Sequence, residues 1–97
     1  MKERKQIIVE VRVFDYKRKM LSSARVDLKP LAGKVQKAVS LNFDKQRLVY
    51  RAVGIRPGKY LLQAMDKGLE PDERDVQVGP GGLKDTFNLG KKGMPFY

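Results

Sequence analysis

Histidine and cysteine, the two residues that most often carry nucleophilic and metal chemistry, are both missing from this chain of 97 residues. Without an imidazole or a thiolate, neither a Ser-His-Asp nor a Cys-His apparatus can be assembled. The usual structural zinc sites are excluded for the same reason. Apart from tyrosine, the hydroxyls are Ser22, Ser23, Ser40 and Thr86, and no base stands beside any of them. Carboxylates gather once, at Asp72, Glu73 and Asp75, with Asp66 and Glu70 nearby. Their spacing is not that of a calcium loop, and Lys67 and Arg74 sit among them, so they read as a solvated acidic loop. The chain is therefore read as non-enzymatic, with no catalytic, cofactor or metal residue assigned.

Charge points outward to partners. Lys and Arg number 21 against 11 Asp and Glu, a net charge of +10. That surplus favours acidic partners: nucleic acid, anionic lipid, or an acidic protein face. The basic clusters are Lys2-Arg4-Lys5, Lys17-Arg18-Lys19 and Lys91-Lys92, at the ends and in one loop. No aromatic residues interleave with them as a base-stacking platform would require, and Tyr16 stands alone. The expectation is weak polyanion binding that fades with salt and does not depend on which cluster is neutralised.

The residues that must position these groups alternate at period two. Gln6 to Phe14 places Ile7, Val9, Val11 and Val13 on one face and Ile8, Glu10, Arg12 and Phe14 on the other, a first strand. Ala24, Val26 and Leu28 mark a second, which Lys29-Pro30 stops because proline cannot continue a ladder. Val39, Leu41 and Phe43 mark a third. Leu48, Tyr50 and Ala52 face the core on a fourth, and Ile55 tucks under the corner that follows. Arg56-Pro57-Gly58-Lys59 reads as a type II turn, with Pro57 fixing φ and Gly58 supplying φ > 0. Tyr60, Leu62 and Ala64 then carry a fifth strand. Val76 and Val78 give a short sixth, Gly79 to Gly82 is irregular, and Thr86 to Leu89 is the seventh, with Asn88 outward.

Seven short strands with regular turn signals imply an all-β fold, a seven-stranded antiparallel two-sheet β-sandwich with little or no helix. Residues 1–5 read as a disordered basic N-terminus, 6–89 as the domain, and 90–97 as an exit linker toward a following domain. Ninety-seven residues suffice for one core. No apolar run is long enough to span a bilayer. Glu10 and Arg12 break the only stretch that resembles a signal peptide, which leaves the compartment open between a cytoplasmic and an exported parent.

With Tyr50, Tyr60 and Leu62 inward, alternation sends Leu61 and Met65 of the fifth strand outward, and Val49 and Val53 of the fourth. Ile8 and Phe14 join them on the first. In a hairpin across the Pro57-Gly58 turn, Val49, Val53, Leu61 and Met65 would form one patch large enough to dock on a partner.

Two segments resemble a known family. Val11-Arg12-Val13-Phe14-Asp15 followed by Leu21-Ser22-Ser23-Ala24-Arg25-Val26-Asp27-Leu28 looks like the opening of transthyretin-like sandwiches, also described as carboxypeptidase-regulatory-like or collagen-adhesin B-like domains. Tyr50, Gly54, Ile55, Pro57, Gly58, Tyr60, Leu62 and Gly68 match their continuation. Arg18, Met20 and Ser23 stand where that family often has glycine or proline, so the first loop is expected to differ in shape. The resemblance implies a non-catalytic accessory module that docks on a following domain of its own chain or on another protein. Some members carry a Lys–Asn cross-link, for which an outward Asn88 is unsuited. Leu89 to Tyr97 further resembles the segment after the N-terminal sandwich in bacterial subtilisin-like protease precursors. The alternatives are an adhesion or stalk module, and a polyanion or nucleic-acid binder.

Overall fold

A computed structural model describes residues 6–31 and 38–91. The expected lead-in at 1–5 and most of the expected exit linker lie outside the described residues. Among these residues there is no helix, so none long and apolar enough to cross a membrane. The strands are β1 (Ile8–Phe14), β2 (Arg25–Pro30), β3 (Val39–Asp44), β4 (Val49–Val53), β5 (Gly58–Met65), β6 (Asp72–Val78) and β7 (Leu83–Asn88). They hydrogen-bond in one continuous order, β6-β5-β2-β3-β4-β1-β7.

That order corrects the expected antiparallel two-sheet sandwich. The strands form a single mixed sheet that curls nearly into a barrel, because β3 serves two neighbours. Its first residues pair with β2, Leu41 opposite Val26, and its last pair with β4, Phe43 opposite Tyr50. One half of the sheet is therefore β1, β4, β7 and the end of β3, and the other is β2, β5, β6 and its start. The pairing of β1 with β7 is parallel, from Val9 opposite Leu83 to Phe14 opposite Asn88. Alternation tells which face a residue takes, and says nothing of its strand's partner or direction.

Side chains from both halves meet in one core. Val9, Val11, Val13, Tyr50 and Phe87 come from the first, and Val26, Leu28, Tyr60, Leu62 and Val78 from the second. Phe43 packs on Tyr50 with ring centroids 5.1 Å apart. Both central tyrosines carry their hydroxyls to backbone at the rim. Tyr50 donates to the Leu21 carbonyl at 2.6 Å and accepts from the Ala24 N–H at 2.9 Å, while Tyr60 donates to the Arg56 carbonyl at 2.7 Å. Burial raises the Tyr50 pKa above the ordinary phenol value, and the charge of Asp66 adds to this against the Ala24 N–H.

Other local readings change as well. Pro30 does not precede the end of β2 but forms it, opposite Tyr60, a strand-end position that needs no N–H. Gly58 has φ +152°, not the +80° or so of a type II turn. The corner instead hands the chain from β4 in one half to β5 in the other. Leu48 is not in the core: it is 48% exposed with φ +58°, and the strand begins one residue later. Asp44 makes that turn by accepting the N–H groups of Gln46 and Arg47 at 2.9 and 3.1 Å, and Leu48 closes it by donating to the Asp44 carbonyl at 2.7 Å. Gly79 to Gly82 is an ordered tight turn closed by Gly82 N–H to Gly79 O at 3.0 Å. A side chain at Gly82 would collide with the backbone carbonyl of Ile8, so β1 and the start of β7 can approach only over a glycine.

Candidate functional site

The four-residue apolar patch does not exist. β4 and β5 lie in different halves, so Val49 and Val53 are separated from Leu61 and Met65. Val49 is 6% exposed, buried on the outer side of its own sheet beneath neighbouring polar side chains. Val53 is exposed, and Leu61 and Met65 are half-buried among Arg25, Lys29 and Gln63 on the outer face of the second half. Pairs this small fall short of a docking surface.

The acidic loop is also corrected, since Asp72 to Asp75 belong to β6. As an edge strand, β6 gains from charges that discourage pairing with another chain. Alternation puts Asp72 on the face opposite Glu73 and Asp75, and Arg74, on the side of Asp72, takes two of the acids in reach, Asp72 at 3.7 Å and Asp85 of β7 at 2.9 Å. The Arg74 guanidinium also lies 4.3 Å from the centre of the Phe87 ring. This contact bridges the seam where β6 and β7 approach without sharing a ladder. Among the described residues, no three carboxylates converge as a metal site would require.

The hydroxyls are placed among acceptors. Ser23 Oγ donates to Asp66 at 2.9 Å, and Ser40 Oγ to Asp27 at 2.7 Å. Asp27 is 6% exposed yet points to the outer face, where Arg25 Nε also reaches it at 3.0 Å. These bonds give the buried carboxylate two partners on its own sheet.

The outer face of the first half has a different balance. It presents Glu10, Arg12, Val49, Arg51, Lys84 and Thr86, and all of these but Arg51, together with Asp85, line a shallow cleft of about 390 Å³. Glu10 stands between Arg51 and Lys84 in register and pairs with Arg51 at 3.4 Å. Arg51 Nε is buried and lacks a hydrogen-bond acceptor at closer range. Beyond Phe14 and Asn88, whose side chain is exposed, this face runs into the basic loop. There Asp15 accepts the N–H groups of Lys17 and Lys19 at 2.8 and 2.9 Å, and Arg18 adopts φ +64°. The loop is thus a fixed turn that aims Lys17, Arg18 and Lys19 at solvent. Arg18 occupies a conformation that glycine adopts without strain, at a position where the resembling family often has glycine. Sequence reading noticed the loop and missed Arg12 and Lys84, whose register with it depends on the parallel pairing.

No family model matches the chain, and no curated protein matches it. A solved structure that does match is the pilus adhesin (RrgA) from Streptococcus pneumoniae, with a TM-score of 0.56 and 18% identity. The match covers 98% of this chain and 11% of the adhesin, so the chain spans a small part of that protein's length. At this identity the likeness carries the fold alone: an all-β domain of the kind found within a pilus adhesin.

Proposed function

We propose that this chain is a non-catalytic β-domain that acts as a load-bearing spacer in a longer adhesion-type protein. The observation that carries this reading is the parallel ladder between the first and last strands, with six residue pairs from Val9–Leu83 to Phe14–Asn88. Because β1 and β7 run the same way, the chain enters at one pole of the domain and leaves at the other. Tension applied through both ends slides the two strands along each other. The ladder's hydrogen bonds, each worth only about 0.5–1.5 kcal/mol net, are then loaded together rather than one by one. The Leu89 N–H to Phe14 carbonyl bond, at 2.8 Å, extends the same ladder by a further link. The adhesin likeness supports the reading to the extent that a domain of similar fold makes up about 11% of a pilus adhesin's length.

A subtilisin-like precursor as the parent drew on Leu89 to Tyr97, of which 92–97 lie outside the described residues, and accessory docking drew on the divided patch. Neither has a further observation in its favour. Single-molecule force spectroscopy tests the spacer reading by pulling the domain in two geometries. Pulled through its ends, it should unfold at a force several-fold above that needed when the handles sit at Gln6 and Gly81, which peels β1 from β7 bond by bond. Equal forces in the two geometries would refute a load-bearing role for the ladder.

A further inference from the structure

We propose that the outer face of β1 and β7, continued by the Asp15–Lys19 turn, binds a flexible polysaccharide bearing sulfate or phosphate esters. In this half of the molecule the carboxylates are Glu10, Asp15, Asp44 and Asp85, and each is engaged by a neighbouring residue. Glu10 pairs with Arg51, Asp44 with Arg47 at 2.8 Å and Asp85 with Arg74, while Asp15 caps its turn. No ion pair among the described residues involves Arg12, Lys84, Lys17, Arg18 or Lys19, and all five are exposed.

Their arrangement is linear. Arg12 is opposite Thr86 and Lys84 is opposite Glu10 on parallel neighbouring strands. Strand spacing and rise put the Cα atoms of Arg12 and Lys84 about 8 Å apart. The fixed turn carrying Lys17 to Lys19 follows one residue beyond β1. A chain laid along the two strands meets cations in succession, together with the hydroxyl of Thr86 and the amide of Asn88, which suit sugar hydroxyls.

The face favours this partner over other polyanions. Its aromatic rings are half-buried Phe14 at the end of β1 and Tyr16 on the loop, 5.8 Å from the Lys17 ammonium, and two rings at one end give no succession of platforms on which unpaired bases could stack. A sheet face offers neither helix nor ribbon to a duplex groove. Its apolar residues are buried Val49, half-buried Ile8 and Phe14, and exposed Val53 beside Ile8, too small a set for a bilayer to receive. This revises the expectation that the basic clusters act as interchangeable charge.

Calorimetric titration of the whole chain with a heparin decasaccharide tests the assignment. Binding should weaken at least about tenfold, equivalent to 1.4 kcal/mol, in the double variant Arg12→Gln/Lys84→Gln. The triple variant Lys17→Gln/Arg18→Gln/Lys19→Gln should lose at least as much. Lys29→Gln/Lys59→Gln removes the same two charges from the other half and should change affinity less than about twofold, because distant cations contribute only through the screened field. Equal losses in the two double variants, or no binding by the unaltered chain, would overturn the proposal. So would tighter binding, at the same salt, to single-stranded oligothymidylate or to vesicles of phosphatidylcholine and phosphatidylserine. Circular dichroism of each variant establishes that the fold is intact.

Discussion

The two outer faces are built on the same alternating pattern and reach opposite electrostatic ends. On the second half, Arg25, Asp27 and Ser40 bond across β2 and β3, and Gln63 donates to Glu73 across β5 and β6 at 3.1 Å. There the acids Asp27 and Glu73 are taken up by neighbours in the sheet. On the first half Glu10 pairs with Arg51, the other carboxylates are drawn into turns and the seam, and Arg12 and Lys84 have no ion pair. Five cations without an ion pair are thus gathered on this face and its turn, while Lys29 and Lys59 stand apart on the other half. What creates the difference is pairing, since parallel β7 supplies Lys84 beside Glu10 and sends Asp85 toward Arg74.

The anchors of the two halves differ in a way that mutation should separate most strongly. Tyr50 is 2% exposed and Tyr60 4%, so truncating either to alanine should cost about 3–5 kcal/mol in chemical denaturation. Removing only the hydroxyl should divide them. Tyr50→Phe leaves the Leu21 carbonyl and the Ala24 N–H without their shared partner at a part-buried site, a loss of about 1–3 kcal/mol. Tyr60→Phe frees the carbonyl of exposed Arg56, which water can reach, so its loss should stay below about 1 kcal/mol. Equal costs for the two phenylalanine variants would erase the distinction between the halves.

Much of this was legible in the sequence, and the remainder fails for one physical reason. Period two sorts side chains into faces, and Tyr50, Tyr60, Leu62 and Ile55 are all buried where alternation sends them inward. It carries no information on which strand lies alongside. Hence Val49 and Leu61, outward residues both, end up in different halves, and Arg12 and Lys84, far apart in sequence, come together. Turn chemistry is a second blind spot. An aspartate that caps its own turn can hold Arg18 or Leu48 in a left-handed conformation that composition alone would reserve for glycine.

The seam sharpens the comparison at a smaller scale, because there the two halves meet again. Arg74 and Asp85 have side chains 40% and 20% exposed, so solvent screens their attraction. A double-mutant cycle with Arg74→Ala and Asp85→Ala should give a coupling of about 0.5–1 kcal/mol. The coupling should shrink in high salt. Arg74→Lys should recover only part of it, since an ammonium cannot both fork to the carboxylate and cover the Phe87 ring. A coupling indistinguishable from zero at low salt would mean the halves close through their core alone.

The smallest expected effect lies at the turn from β3 to β4, where Leu48 is held at φ +58°. A left-handed conformation costs an L-residue about 1–2 kcal/mol, and the half-exposed side chain returns little through burial. Glycine would remove the strain while adding about 0.5–1 kcal/mol of unfolded-state entropy. Leu48→Gly should therefore raise stability by about 0.5 kcal/mol, seen as a higher denaturation midpoint with an unchanged slope. Asp44, the cap of the same turn, has its pKa held below the ordinary carboxylate value, first by the backbone N–H of Arg47 and then by its guanidinium. A carboxylate depressed in the folded state stabilises above its unfolded pKa, and that contribution is lost as pH falls through the folded one. Acidification should thus loosen the turn, and Asp44→Asn should flatten the acid limb of the stability profile. A decrease in midpoint for Leu48→Gly at neutral pH would mean that the leucine side chain contributes more to packing than its exposure indicates.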